Sequence, residues 1–332
     1  MTTWQGWQQF TTTPPPAPPE PGAPPRSTEE RLAYHSAFIT LRTPVIDTLA
    51  TSVRTLMILG RHQTMTARPS LIVTGPAAAG KTTALLHVGR ACHLAHTHRN
   101  PTPPGSAHAP VPVAYVLVPP GATAKTLATE FARYLGVPVT AWMTQAQITD
   151  AVCHTYQQAG VRLVLIDEIH RLNPRTTTGA QTADLIKDLT ERIHATFVYA
   201  GIDVTTTALF SSVRGAQLAG RASLIECGPL AARHGTHEPF KELIAGLEDA
   251  LDLQQHRPGA LPRHVAYLHQ RTAGRIGSLT RLVRQAAITA ILDRTERITK
   301  QSLDQVPLDH LAETHHRPTP TPTRPRSRTR RP

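Results

Sequence analysis

The sequence predicts an α/β fold, a parallel five-stranded sheet flanked by helices, with a small helical domain following it. Three observations carry that reading. Short aliphatic and β-branched runs alternate with stretches of helical periodicity between residues 70 and 227, the sequence form of parallel strands joined by helical crossovers. The run LIVTGPAAAGKTT at 71–83 passes from a strand through a glycine-framed turn into a helix. After Pro229 only helical periodicity is left.

The elements follow in order. Residues 14–25 read PPPAPPEPGAPP, a polyproline II tether that sets Trp4, Trp7 and Phe10 apart from the rest. Aromatics at i, i+3 and i+6 suit the apolar face of a short docking helix, but a loose terminus is favoured, so residues 1–26 are expected to be a disordered Pro-rich arm. Ser27 with Glu30 forms a capping-box pattern for a helix reaching about Arg42. Pro44 suits the first turn of a second helix, in which Ile46, Leu49, Val53, Leu56 and Met57 recur at helical spacing and Gly60 serves as C-cap. These helices, 27–62, are expected to lead into a core spanning 63–235.

Within that core, strands are expected at about 70–74, 113–118, 162–166, 196–200 and 223–227, with the Pro-rich stretch 100–112 as a surface insertion. A helical lid is expected over 236–313, from the spacing of Phe240, Leu243, Ile244 and Leu247 and then of Ile276, Leu279, Leu282, Val283 and Ala286. Residues 314–332 lack apolar periodicity and read as a disordered Arg/Pro-rich tail.

Composition narrows the classes. A chain of 332 residues with 40% hydrophobic content can fill one α/β core and a smaller second one. Cys92, Cys153 and Cys227 are too few and too scattered for a disulfide framework or a four-ligand zinc site, which suits a reducing compartment. There is neither a basic segment followed by an apolar core at the start nor a spanning apolar run, so a cytoplasmic protein without membrane contact is expected. The net charge of +12 implies an acidic partner, nucleic acid before membrane. About half of the excess comes from the six arginines between Arg317 and Pro332, which can contact phosphates without reading bases.

The chemistry starts at G-x-x-x-x-G-K-[ST], residues Gly75 to Thr82. Gly75, Pro76, Ala77, Ala78, Ala79 and Gly80 form a phosphate cradle in which glycine lets backbone N–H groups face the oxygens, and the following helix adds its positive end. Lys81 is expected to reach the β- and γ-phosphates of ATP, and the Thr82 hydroxyl to ligate Mg²⁺; Thr83 is a neighbour with no necessary role. The second half of the site is RLVLIDE at 162–168. A buried strand sets Asp167 at its carboxyl end, where open α/β sheets bind ligands, to hold the metal directly or through water. Glu168 beside it is placed to polarise the attacking water.

With both motifs in place, the chain resembles the AAA+ ATPases and, within them, the TniB-type and TnsC-type regulators of DNA transposition. The likeness extends over roughly 30–305 and rests on the order and spacing of LRTPVIDTLATSVRTLM, VLVPPGATAKTLATEFARYLGVP, VRLVLIDEIHRL, IKDLTERIHATFVYAGID, QLAGRASLIECGPL and RTAGRIGSLTRLVRQAAITAI. The resemblance implies ATP hydrolysis, head-to-tail homo-oligomers on duplex DNA and recruitment or activation of a transposase. It implies an arginine acting on a neighbouring subunit's γ-phosphate, matched by Arg221 or, less well, Arg214. It implies DNA contacts near Lys125 and Arg175. In two places the sequence departs from the family pattern. The polar residue usual at the end of the fourth strand is replaced within YAGID, leaving Asp203 or Tyr199, and the arginine of the second sensor falls at Gly277, leaving Arg275 or Arg281.

Two other signals are discounted. Cys92, His93, His96 and His98 crowd one helix end without a matching pair elsewhere, and read as exposed helix-terminal side chains rather than zinc ligands. Cys153 and Cys227 lack a local base and read as small buried residues. Two rival functions use the same fold: an ATP-gated signalling or defence switch acting on a protein partner, and a loader of a replicative helicase.

Overall fold

The computed structural model describes residues 1–313 other than 21, 23, 38–39, 63–67, 102–109, 173–176, 212–214, 233–237 and 311. The tail from Thr314, most of the 100–112 insertion, Arg175 and Arg214 therefore lie outside the described residues. The chain divides into two compact units. One is built from Met1–Ala17 and Ala37–Gly228, the other from Pro18–Ser36 and Pro229–Pro332.

In chain order the first unit opens with α1 (Trp4–Thr12); α2 (Thr28–Ser36) belongs to the second unit, and α3 (Pro44–His62) returns to the first. Then come β1 (Ser70–Thr74), α4 (Lys81–Arg99), β2 (Val113–Leu117), α5 (Ala124–Tyr134), α6 (Gln145–Gln158), β3 (Leu163–Asp167), α7 (Thr177–Arg192), β4 (Thr196–Gly201), α8 (Ala208–Ser211), α9 (Ala216–Ala219) and β5 (Ala222–Glu226). The sheet order is β2-β3-β4-β1-β5, and every neighbouring pair is parallel. β3 and β4 are buried at every position, which is why they read as unbroken apolar runs. β5 forms an edge and leaves Leu224 47% exposed. Because β1 sits between β4 and β5, its carboxyl end and that of β3 flank the end of β4, which sets the loop after β1 near the carboxylates after β3.

The amino-terminal arm is not disordered over its first residues. Thr3 caps α1 by accepting from Gly6 N at 3.2 Å, and Trp7 is fully buried against the core of the first unit. Its indole stacks on Tyr115, with centroids 6.2 Å apart and planes at 16°. It also occupies a notch that exists because residue 89 is glycine: a Cβ there would meet the indole at 2.8 Å and Leu165 at 2.7 Å. Arg90 closes the other end, donating to the carbonyls of Thr11 at 3.2 Å and Thr13 at 3.1 Å. The aromatic spacing specified a docking helix, and the Pro-rich run is only its tether; burying an indole contributes about 4–6 kcal/mol before ordering costs.

The helix after the tether also differs from expectation. The capping box forms, with Ser27 N donating to Glu30 at 2.8 Å and Glu30 N to Ser27 Oγ at 3.2 Å. The helix ends at Ser36 rather than Arg42, and it packs with the carboxyl-terminal helices instead of leading into the sheet. Arg31 is the reason: it makes a bidentate pair with Glu296, Nη2 to Oε1 at 3.0 Å, with both residues buried. Tyr34 donates to the Ala250 carbonyl at 2.8 Å, and Arg284 to that of His35 at 2.9 Å. α3 begins at Pro44 as expected but runs through Gly60 to His62, so that glycine is helical and not a cap.

The second unit continues with α10 (Pro239–Asp249), α11 (Val265–Thr272), α12 (Ile276–Leu292) and α13 (Lys300–Gln305). α12 buries Leu279, Leu282, Val283, Ala286 and Ala290, a stripe at spacings of three and four. Glu248 organises the loop after α10, accepting from Leu261 N at 2.8 Å and lying 3.0 Å from His256 Nε2.

Candidate functional site

The loop between β1 and α4 has the backbone of an anion cradle. Gly75 adopts φ 154°, Ala78 φ 61° and Gly80 φ 86°, so positive-φ residues alternate with ordinary ones and turn successive N–H groups to one side. Gly75 is also sterically required, since a Cβ there would lie 1.9 Å from the Cys227 carbonyl oxygen. Lys81 opens α4, is 6% exposed, and donates to the carbonyls of Gly75 at 2.8 Å and Pro76 at 2.7 Å. Burial pulls its ammonium below the usual lysine range, while Cys227, Glu168, Asp167 and Asp203 favour the charged form.

Asp167 is fully buried at the end of β3. It accepts from the Thr82 hydroxyl at 2.7 Å, from the Tyr115 hydroxyl at 2.9 Å and from Glu168 N at 2.8 Å. Tyr115 is the residue that motif reading missed. It lies two positions before the Leu117↔Asp167 pair in the β2–β3 register, and burial followed by the neighbouring carboxylate drives its phenol far above the ordinary range, so it stays a donor. A tyrosine inside the aliphatic run VAYVL was the available signal, because a buried hydroxyl needs a partner. A hydroxyl and a carboxylate side by side are oxygen ligands of the kind magnesium prefers, so Thr82 and Asp167 fit that ion.

Glu168 sits in the left-handed region, φ 60°, at the start of the turn Ile169–Arg171. Its Oε2 is 3.0 Å from Arg171 Nη2 and 3.6 Å from His170 Nε2. The carboxylate is thus held beside Asp167 by the two residues that follow it in the turn.

The other expected residues are dispersed. Arg221 lies at the amino-terminal edge of the sheet, where Ser70 N donates to its carbonyl at 2.9 Å; its guanidinium is 3.9 Å from Glu191. One strand length, about 16 Å, separates that edge from the phosphate loop of the same chain. Tyr199 does not reach the site: it pairs in register with Ile72 in mid-sheet, and its hydroxyl is buried towards a small cavity lined by Arg68, Thr190 and Arg221. Asp203, at the end of β4, is near enough to act on Lys81. Lys125, in the first turn of α5, donates to the Ala141 carbonyl at 3.2 Å. Arg275 is the N-cap of α12, Gly277 lies in its first turn, and Arg281 is exposed on it. His93 is buried beside Trp4, not exposed, with ring centroids 5.7 Å apart. Cys153 and Cys227 are buried, and no helix among the described residues is long and apolar enough to cross a membrane.

The strand order, the cradle before α4 and the carboxylates after β3 define the fold of the AAA+ P-loop ATPases. Solved structures agree with that class. The Orc1 protein of Aeropyrum pernix in complex with DNA aligns with a TM-score of 0.58 and 17% identity, over 85% of this chain and 66% of that one. The Aeropyrum pernix ORC2 protein in ADPNP–ADP complexes gives 0.59 and 15%, over 84% and 69%. The Drosophila ORC bound to DNA gives 0.56 and 12%, over 91% and 71%. At these identities the likeness is one of fold. No curated protein matches the sequence. A family model described as "Bacterial TniB protein" matches residues 31–226. The chain belongs to the TniB family.

Proposed function

We propose that this chain is an ATP-hydrolysing regulator of DNA transposition that assembles head to tail, binds duplex DNA without strong sequence preference, and recruits or activates a transposase. The observation that carries the ATPase part is the 2.7 Å hydrogen bond from Thr82 to Asp167, which joins the phosphate-loop helix to the end of β3. Family membership and the charge of +12 support the DNA part.

Residues 75–80 would cradle the β- and γ-phosphates of ATP, and Lys81 would turn from its loop carbonyls to the phosphate oxygens. Thr82 and Asp167 would hold Mg²⁺, which supplies charge neutralisation to the phosphates. Glu168 would accept a proton from the attacking water. Arg221, a strand length away from its own phosphate loop, would act on the site of an adjacent copy, which makes turnover depend on assembly. Cytoplasmic residence accords with this role.

ATP turnover and nucleotide binding in Lys81→Ala and Glu168→Gln, with and without duplex DNA, test the reading. Lys81→Ala should lose nucleotide binding, whereas Glu168→Gln should bind normally and turn over about 100-fold or more slowly. Wild-type turnover by Glu168→Gln would refute the assigned base. With an ATP analogue, affinity for duplex DNA should fall steeply between about 50 and 200 mM salt. Absence of any such affinity would favour a protein-partner switch.

A further inference from the structure

The end of β4 and the carboxylate of Glu168 are joined by His170, a side chain that neither motif includes. Its Nδ1 accepts a hydrogen bond from Ile202 N at 3.1 Å, so the ring proton of the neutral imidazole is on Nε2. That nitrogen faces Glu168 Oε2 at 3.6 Å. The ring can lie there because residue 201 is glycine: a Cβ at that position would be 3.0 Å from Nδ1 and 3.1 Å from both Ile169 and Val204. The backbone that grips the ring is tied to the phosphate side of the site twice over. Val204 N donates to Thr74 Oγ1 at 3.1 Å, on the last residue of β1 before the cradle, and Asp203 acts on Lys81.

We propose that His170 is a positioning residue for ATP hydrolysis: anchored to the end of β4 through Ile202, it presents an N–H to Glu168 and fixes which way that carboxylate points. The proposal rests on the hydrolysis reading given above. Its chemical sense lies in competition for one oxygen. Arg171 Nη2 reaches the same Oε2 at 3.0 Å, and its own Nη1 reaches the Val118 carbonyl at 3.4 Å, on the loop after β2. A carboxylate held by the guanidinium alone would be drawn towards that loop and lose basicity, whereas the imidazole N–H draws it towards β4. The chain thus makes up for the lack of a polar side chain at Gly201 with a residue from the neighbouring turn. A small displacement of the β4 end is enough to change the orientation of Glu168.

The test compares turnover, KM and nucleotide Kd in wild type, His170→Asn, His170→Gln and Gly201→Ala, with His170→Asn also made in the Glu168→Gln background. Asparagine keeps an acceptor at the Nδ1 position but does not reach Glu168; glutamine reaches it. We expect kcat to fall about tenfold or more in His170→Asn and Gly201→Ala with Kd changed less than about twofold, and most of the loss to be recovered in His170→Gln. In the Glu168→Gln background the asparagine should have no further effect, since the two residues act as one unit. A kcat within about twofold of wild type in His170→Asn, an equal loss in the asparagine and glutamine variants, or an additive loss in the double variant would each overturn the proposal. Wild-type turnover indistinguishable from that of Lys81→Ala would instead overturn the hydrolysis reading, and this proposal with it.

Discussion

Replacing Trp7 by alanine should uncouple α1 from the first unit, and the size of the effect follows from the contacts. The indole is fully buried, stacks on Tyr115 and fills the notch at Gly89. A buried tryptophan removes roughly 200 Å² from water, which at about 25 cal/mol per Å² is about 5 kcal/mol, and truncation of such residues costs about 3–5 kcal/mol. α1 is terminal and can detach as a unit, so the loss cannot exceed its docking free energy; about 3 kcal/mol is expected. All three tryptophans belong to the first unit, and Trp142 is 83% exposed, so the fluorescence unfolding transition follows that unit and its blue-shifted emission comes from the buried ring. With a urea m-value of about 3 kcal/mol/M, the midpoint should drop by about 1 M. Because Trp7 covers the ring whose hydroxyl holds Asp167, affinity for Mg²⁺-nucleotide should weaken as well. A midpoint within about 0.2 M of wild type, with unchanged emission, would show that α1 is not docked.

Arg221→Ala should keep ATP affinity and lose turnover, and mixing it in equal parts with Glu168→Gln should restore activity at up to about a quarter of interfaces, those pairing an intact finger with an intact base. No recovery at any ratio would exclude action between copies. Burial pushes the thiols of Cys92, Cys153 and Cys227 each to about 11. At pH 8 native alkylation should therefore be about 100-fold slower than in denaturant and rise about tenfold per pH unit until near 11. The sign for stability follows: thiols raised in the folded state contribute fully below the unfolded value of about 8.5, and that contribution is lost as pH rises through about 11. A thiol that reacts at the model rate at pH 8 would contradict its burial.

What could be read from the sequence divides by the range of the interactions involved. Strands that depend on a local run of buried residues, such as Leu163–Asp167 and Thr196–Gly201, were legible to within a residue or two because both faces of each are covered. So was the turn from β1 into α4, since its shape is specified by Gly75 and Gly80 themselves. Tyr115 was not, because its meeting with Asp167 depends on the register between two strands far apart in sequence. Nor was the allegiance of α2, whose Arg31 finds its carboxylate 265 positions away. Tyr199 was misjudged for a related reason: one strand position decides whether a side chain near the end of β4 faces the site or the sheet interior.

Both units are completed by residues that leave the ribosome first. Arg31 emerges long before Glu296, and Trp7 before Gly89, Tyr115 and Leu165, which make its berth. Throughout synthesis the leading 36 residues must therefore wait, with a tryptophan and an arginine unmatched, until the segments that receive them arrive. The proline run between them suits that delay, since an extended, hydrogen-bond-free tether resists collapse and keeps the two waiting helices apart. It also means that trimming the amino terminus to isolate either unit would remove part of what that unit needs to fold.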